Sequence, residues 1–119
     1  MSLTIYHNPR CSKSRKTLEI LQESAVDHTI VEYLKSPPSA ARIMTLAGLL
    51  GLSVAEIVRQ GESVFREATD LPNLDDDAAL AAWVAANPSV LQRPIVVDDD
   101  KGRAVVGRPP ESVADLIRS

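Results

Sequence analysis

Leu3-Thr4-Ile5-Tyr6-His7-Asn8-Pro9-Arg10-Cys11-Ser12-Lys13-Ser14 joins a strand to a helix across a loop of a few residues. Leu3 to His7 alternates with the period of two that a strand requires, and Asn8-Pro9 ends it. A helix is predicted from about Ser12 or Ser14, with Leu18 and Leu21 on one face and Ile20 nearby. His28 to Tyr33, centred on Ile30 and Val31, reads as a second strand. Strand, helix and strand in this order predict a right-handed parallel crossover.

Downstream, Ser36-Pro37-Pro38-Ser39 breaks the chain and caps a helix over about Ala40 to Leu50, stopped by Gly51. Ser53 and Glu56 have the spacing of a capping box and predict a helix that carries Val54, Ile57, Val58 and Arg59 and ends by Gly61. Residues 62–74 have no clear period and are left unassigned. Asp75 or Asp76 is placed to cap a further helix presenting Leu80, Trp83 and Val84, which stops at Asn87-Pro88. The period then returns to two. Pro94 to Val97 and Arg103 to Val106 form a hairpin about the turn Asp98 to Gly102, and Pro109-Pro110 opens a closing helix with Val113, Leu116 and Ile117 on one side. This order of βαβ, inserted helices and ββα predicts an α/β chain with a thioredoxin-like fold and a four-stranded mixed sheet. We expect a single domain over 1–119 with a helical insertion at about 39–87.

Composition narrows the functional classes. The 119 residues are 45% hydrophobic and 24% charged, as in an ordinary globular protein. There is no apolar run long enough for a transmembrane helix, and the N-terminus lacks the basic and apolar regions of a signal peptide, so no membrane association and a cytoplasmic location are expected. A net charge of -3 argues against nucleic acid as the main partner. The single cysteine excludes an internal disulfide and a cysteine-based zinc site, and no metal site is expected. Nothing demands more than a monomer. The triplets Asp75-Asp76-Asp77 and Asp98-Asp99-Asp100 read as solvated caps and turns.

The cations are distributed less evenly. Arg10, Lys13, Arg15 and Lys16, four of the thirteen, crowd around Cys11. A thiol at a helix start meets the positive end of the helix dipole and free backbone N–H groups, which favour the nucleophilic thiolate. Arg10 and Arg15 add positive potential, and His7 is close enough in sequence to donate a hydrogen bond to the sulfur. Cys11-Ser12-Lys13-Ser14 places a serine where a dithiol oxidoreductase has its resolving cysteine. Ser14 can bond a thiolate but cannot close a disulfide, so a redox cycle must borrow its second thiol from outside. Arg59, Arg93 and Arg108 stand at element ends where, in such a fold, planar guanidinium forks could hold a tetrahedral oxyanion over Cys11.

These residues carry a resemblance. Tyr6-His7-Asn8-Pro9-Arg10-Cys11-Ser12-Lys13-Ser14-Arg15, with Arg93-Pro94-Ile95-Val96-Val97 and Gly107-Arg108-Pro109, resembles the glutaredoxin-coupled arsenate reductase family, in its short-chain branch, over essentially the whole chain. The resemblance implies that Cys11 attacks arsenate to form a thiol–arsenate adduct, with His7 favouring the thiolate and Ser14 supporting the cysteine. It implies Arg59, Arg93 and Arg108 as oxyanion ligands and Pro94 as a cis proline. Glutathione acts as co-substrate, with no bound cofactor, and glutaredoxin resolves the mixed disulfide.

Two other functions fit parts of the chain. A monothiol glutathione-linked oxidoreductase would need Cys11 without the arginines. A redox-regulatory RNA polymerase-binding module would need the second cysteine that Ser14 replaces.

Overall fold

The computed structural model describes residues 2–118. Two compact units are built from them. One takes the chain through Tyr33 and resumes at Arg93, and the other is Leu34–Gln92.

The first unit is a four-stranded sheet in the order β2-β1-β3-β4. Its strands are β1 (Ser2–His7), β2 (Asp27–Glu32), β3 (Ile95–Asp98) and β4 (Arg103–Val106). The crossover helix α1 (Ser12–Glu23) makes β1 and β2 parallel, with Ile5 opposite Ile30. The chain's return makes β3 antiparallel to β1, with Ile5 opposite Val96, and the hairpin adds β4 antiparallel to β3. The turn closes where Asp98 Oδ1 accepts from the Lys101 N–H at 3.2 Å and Gly102 takes φ 65°. Helix α1 and the closing helix α5 (Val113–Arg118) share one apolar cluster with the sheet. Leu3, Ile5, Leu21, Val96, Val113 and Leu116 form its buried centre, with Leu18, Ile20 and Ile117 packed around them. This is the thioredoxin-like arrangement that the element order predicts.

The second unit is helical. Its elements are α2 (Ala40–Leu50), α3 (Ser63–Arg66), α4 (Asp77–Ala86) and two 3₁₀ turns, Val54–Ile57 and Pro88–Val90. Helix α2 is closed at both ends as its flanking residues require. Ser39 accepts from the Arg42 N–H, and Gly51 takes the left-handed φ of 71°. Asp76 is the residue that caps α4, accepting from the Ala79 N–H at 3.1 Å. Trp83, on α4, donates its indole N–H to Asp70 at 3.0 Å and meets Phe65 edge to face.

Around Ser53 the structure departs from the sequence expectation. The capping box is present, but it opens only the short turn Val54–Ile57, and not a helix reaching Gly61. Val58 leaves for an antiparallel bridge with Leu91, and the Arg59 N–H donates to the Val90 carbonyl at 2.6 Å. The unassigned stretch contains α3, four residues with none buried. Among the described residues no helix is long and apolar enough to cross a membrane.

Candidate active site

Cys11 is the N-cap residue of α1, in extended backbone geometry, and its own N–H donates to the Asn8 carbonyl at 3.0 Å. The loop before it is short and fully tied. Asn8 Oδ1 accepts from the Arg10 N–H at 3.0 Å, and the Asn8 side-chain amide donates to the Tyr33 hydroxyl at 3.4 Å. The first turn of α1 holds no acidic residue. The sulfur makes no cap hydrogen bond of ordinary geometry, yet the N–H groups of Ser14 and Lys13 direct their positive ends toward it. Burial pushes the thiol up. Those two N–H groups, the Arg108 charge and a hydrogen bond from Arg93 outweigh burial and hold Cys11 below its ordinary value.

Arg108 is in contact with the sulfur from the far end of the chain. Its Nη2 donates to Cys11 Sγ at 3.5 Å, while its Nε donates to the Arg93 carbonyl at 2.8 Å. One guanidinium thus clasps the sulfur and the residue before Pro94. The Arg93–Pro94 peptide is cis, and so is Arg108–Pro109, which the sequence reading did not foresee. Gly107 makes this approach possible. Its N–H donates to the Pro94 carbonyl at 2.9 Å. A Cβ there would come within 2.5 Å of Thr17 Oγ1 and 2.7 Å of Pro94 Cγ. Only a residue without a side chain lets the Arg108 loop lie this close to α1.

His7 and Ser14 are placed differently from the sequence expectation. No hydrogen bond joins His7 to Cys11 among the described residues. His7 Nδ1 and Ser14 Oγ share a hydrogen bond of 2.6 Å, and the Asn8 N–H donates to the same hydroxyl at 3.0 Å. Both side chains are buried, Ser14 completely. The Ser14 hydroxyl therefore faces β1, and it is the Ser14 backbone N–H that faces the sulfur. Burial, aided by Arg15 and opposed by Glu32, lowers the His7 pKa below its ordinary 6.5.

The structure thus brings Cys11, Arg93 and Arg108 together, with His7 and Ser14 beneath the loop. Arg59 belongs to the helical unit, where its Nε lies 3.3 Å from Glu62 Oε1. In the sequence Asn8 stands out only as the end of a strand and Gly107 only as part of a motif, yet both position the site. The Asn-Pro pair was the available signal for the first, and a glycine beside Arg-Pro-Pro for the second. Among the described residues no cluster of His, Cys, Asp and Glu could hold a metal ion. A thiolate beside two guanidinium groups is an arrangement able to attack an anion that those groups attract.

Known proteins are similar to this chain over nearly its whole length. Over 114 residues the chain is 42% identical to the uncharacterised protein YfgD of Escherichia coli K12, covering 95% of this chain and 94% of that one. It is also 42% identical over 117 residues to an arsenate reductase of Neisseria meningitidis serogroup A, covering 97% of each. A solved arsenate reductase from Vibrio cholerae superposes with a TM-score of 0.84 at 39% identity, covering 97% of both chains. Residues 6–116 match the ArsC family. With a match of this extent spanning the Cys11 loop, Arg93 and Arg108, the chain belongs to the ArsC family.

Proposed function

We propose that this protein is an arsenate reductase that works through a thiol–arsenate adduct on Cys11, with glutathione and glutaredoxin as external reductants. The observation that carries the reading is the Arg108 guanidinium 3.5 Å from Cys11 Sγ, at a thiol held below its ordinary pKa. The names of the Neisseria and Vibrio relatives support arsenate as the substrate.

In this reading the Cys11 thiolate attacks the arsenic of hydrogen arsenate. An S–As bond forms, and one arsenic–oxygen bond breaks, its oxygen leaving as water once protonated. Arg93 and Arg108 balance the charge of the oxyanion, a task suited to the planar guanidinium. A glutathione thiolate then attacks Cys11 Sγ. An S–S bond forms, the S–As bond breaks with its electron pair going to arsenic, and arsenite leaves. Glutaredoxin returns Cys11 to the thiol. As Cys11 is the chain's only cysteine, the second thiol has to come from another molecule.

The test is arsenate-dependent NADPH consumption with glutathione, glutathione reductase and glutaredoxin. Wild type should turn over, Cys11→Ser should not, and Arg93→Lys should lose most activity because an ammonium cannot reproduce the fork. No turnover by the wild type, with Cys11 still open to alkylation, would remove arsenate as the substrate.

A further inference from the structure

The cations around Cys11 divide into two sets. Arg93 and Arg108 are partly buried and interact with the sulfur itself. Arg10, Lys13, Arg15 and Lys16 are all exposed. Two of the exposed four are already engaged. Arg15 donates to the Pro9 carbonyl at 2.9 Å, and Lys16 lies 3.6 Å from Glu19. The side chains of Arg10 and Lys13 make no hydrogen bond or ion pair among the described residues. They flank Cys11 in the chain, and no Asp or Glu precedes Glu19. In a chain of net charge -3 this is a local reversal of sign around the one reactive atom.

The charge has a use that the inner arginines cannot serve. Once an oxyanion is bound, Arg93 and Arg108 are committed to it. The second reactant is a thiolate, and it must approach an adduct that is already negative. Like charges at that range cost on the order of 1 kcal/mol in water, and more as solvent is excluded. Cations at the rim offset that repulsion and hold the incoming molecule near the sulfur. We propose that Arg10 and Lys13 form the docking site of the reducing co-substrate, a small thiol that carries carboxylates. Two exposed cations three residues apart in sequence match the few carboxylates of one small molecule better than the broad face of a protein.

The proposal rests on the reductase reading for its second reactant, but its electrostatics can be tested without arsenate. The step itself is the exchange already written: the incoming thiolate bonds to Cys11 Sγ and the S–As pair returns to arsenic. The arsenate-free counterpart is attack of the Cys11 thiolate on a disulfide, giving a mixed disulfide and releasing one thiolate.

The experiment compares wild type, Arg10→Gln and Lys13→Gln in both reactions. Arsenate reduction is driven by glutathione, by glutathione esterified at its glycyl carboxylate, or by neutral 2-mercaptoethanol. Mixed-disulfide formation uses glutathione disulfide or the neutral bis(2-hydroxyethyl) disulfide. Each variant should lose about threefold of the preference for the anionic reagent over the neutral one, the scale of an exposed ion pair. Esterification should cost wild type a similar factor and cost less in the variant that has lost the paired cation. Unchanged preference overturns the proposal. A preference that falls with strictly additive losses also overturns it, since that is a diffuse field and not a docking site. Loss confined to the rate with glutaredoxin would put a protein there instead. If no thiol supports arsenate turnover while disulfide exchange keeps its charge selectivity, the reductase reading fails and the docking site stands.

Discussion

Ser14 occupies the position of a resolving cysteine but works as a brace. Its hydroxyl, fully buried, ties the end of β1 to the first turn of α1 through His7 and the Asn8 N–H. Its N–H, on the other side of the same residue, faces the sulfur. Removing the hydroxyl should loosen that turn and leave a buried N–H without its acceptor, a loss of about 1–3 kcal/mol. Ser14→Ala should therefore lower stability to denaturant and raise the pH midpoint of Cys11 alkylation. Wild type should titrate below a free thiol, and an alanine variant with an unmoved midpoint would leave Ser14 a purely structural role.

His7 gives a separate pH dependence. The folded protein holds it below 6.5, and unfolding returns it to that value. As pH falls, the unfolded chain takes up the proton first. Stability is complete above 6.5 and declines between 6.5 and the lower folded value. Melting curves from neutral pH to about pH 5 should show this decline, and His7→Gln should flatten it.

At the scale of elements, the approach of the β4–α5 loop to α1 depends on Gly107. Adding one methyl group forces a shift against Thr17 and Pro94, and overpacking of this kind costs about 1–3 kcal/mol. Gly107→Ala should lower the melting temperature. It should also raise the Cys11 alkylation midpoint, because Arg108 moves with the loop; a midpoint that stays put would separate the loop from the thiol. The strands and α1 were legible because their periods reflect burial on one face, as Leu3, Ile5, Leu18 and Leu21 illustrate. The stretch after Ser53 was not. Its local cap is real, but backbone pairing with Val90 to Gln92, distant in sequence, draws Val58 out of the helix. The thiol and its basic flank could be read from the helix start alone. His7's partner could not, since it depends on the path of the Asn8–Arg10 loop, which the spacing of seven residues does not specify.

Across the whole molecule, protection should follow the order of the sheet. β1 and β3 are the central strands, and Leu3, Ile5, Ile95, Val96 and Val97 are fully buried. β2 and β4 are the edges, and Ile30 on β2 is 44% exposed. Hydrogen exchange should be slowest in β1 and β3, faster in β2 and β4, and fast in α3, which buries none of its residues. Equal exchange across the four strands would contradict this ranking.

The clasp between Arg108 and Cys11 also has a history within each molecule's synthesis. Its two ends are 97 residues apart in sequence. A ribosome that has made β1, α1 and the helical unit has made the Cys11 thiol without either guanidinium that lowers its pKa. The emerging thiol thus has the N–H groups of Ser14 and Lys13 to favour its thiolate, and gains the two arginines only as Arg93 and then Arg108 are added. The electrostatic setting of the thiol is complete only once Arg108 has joined it.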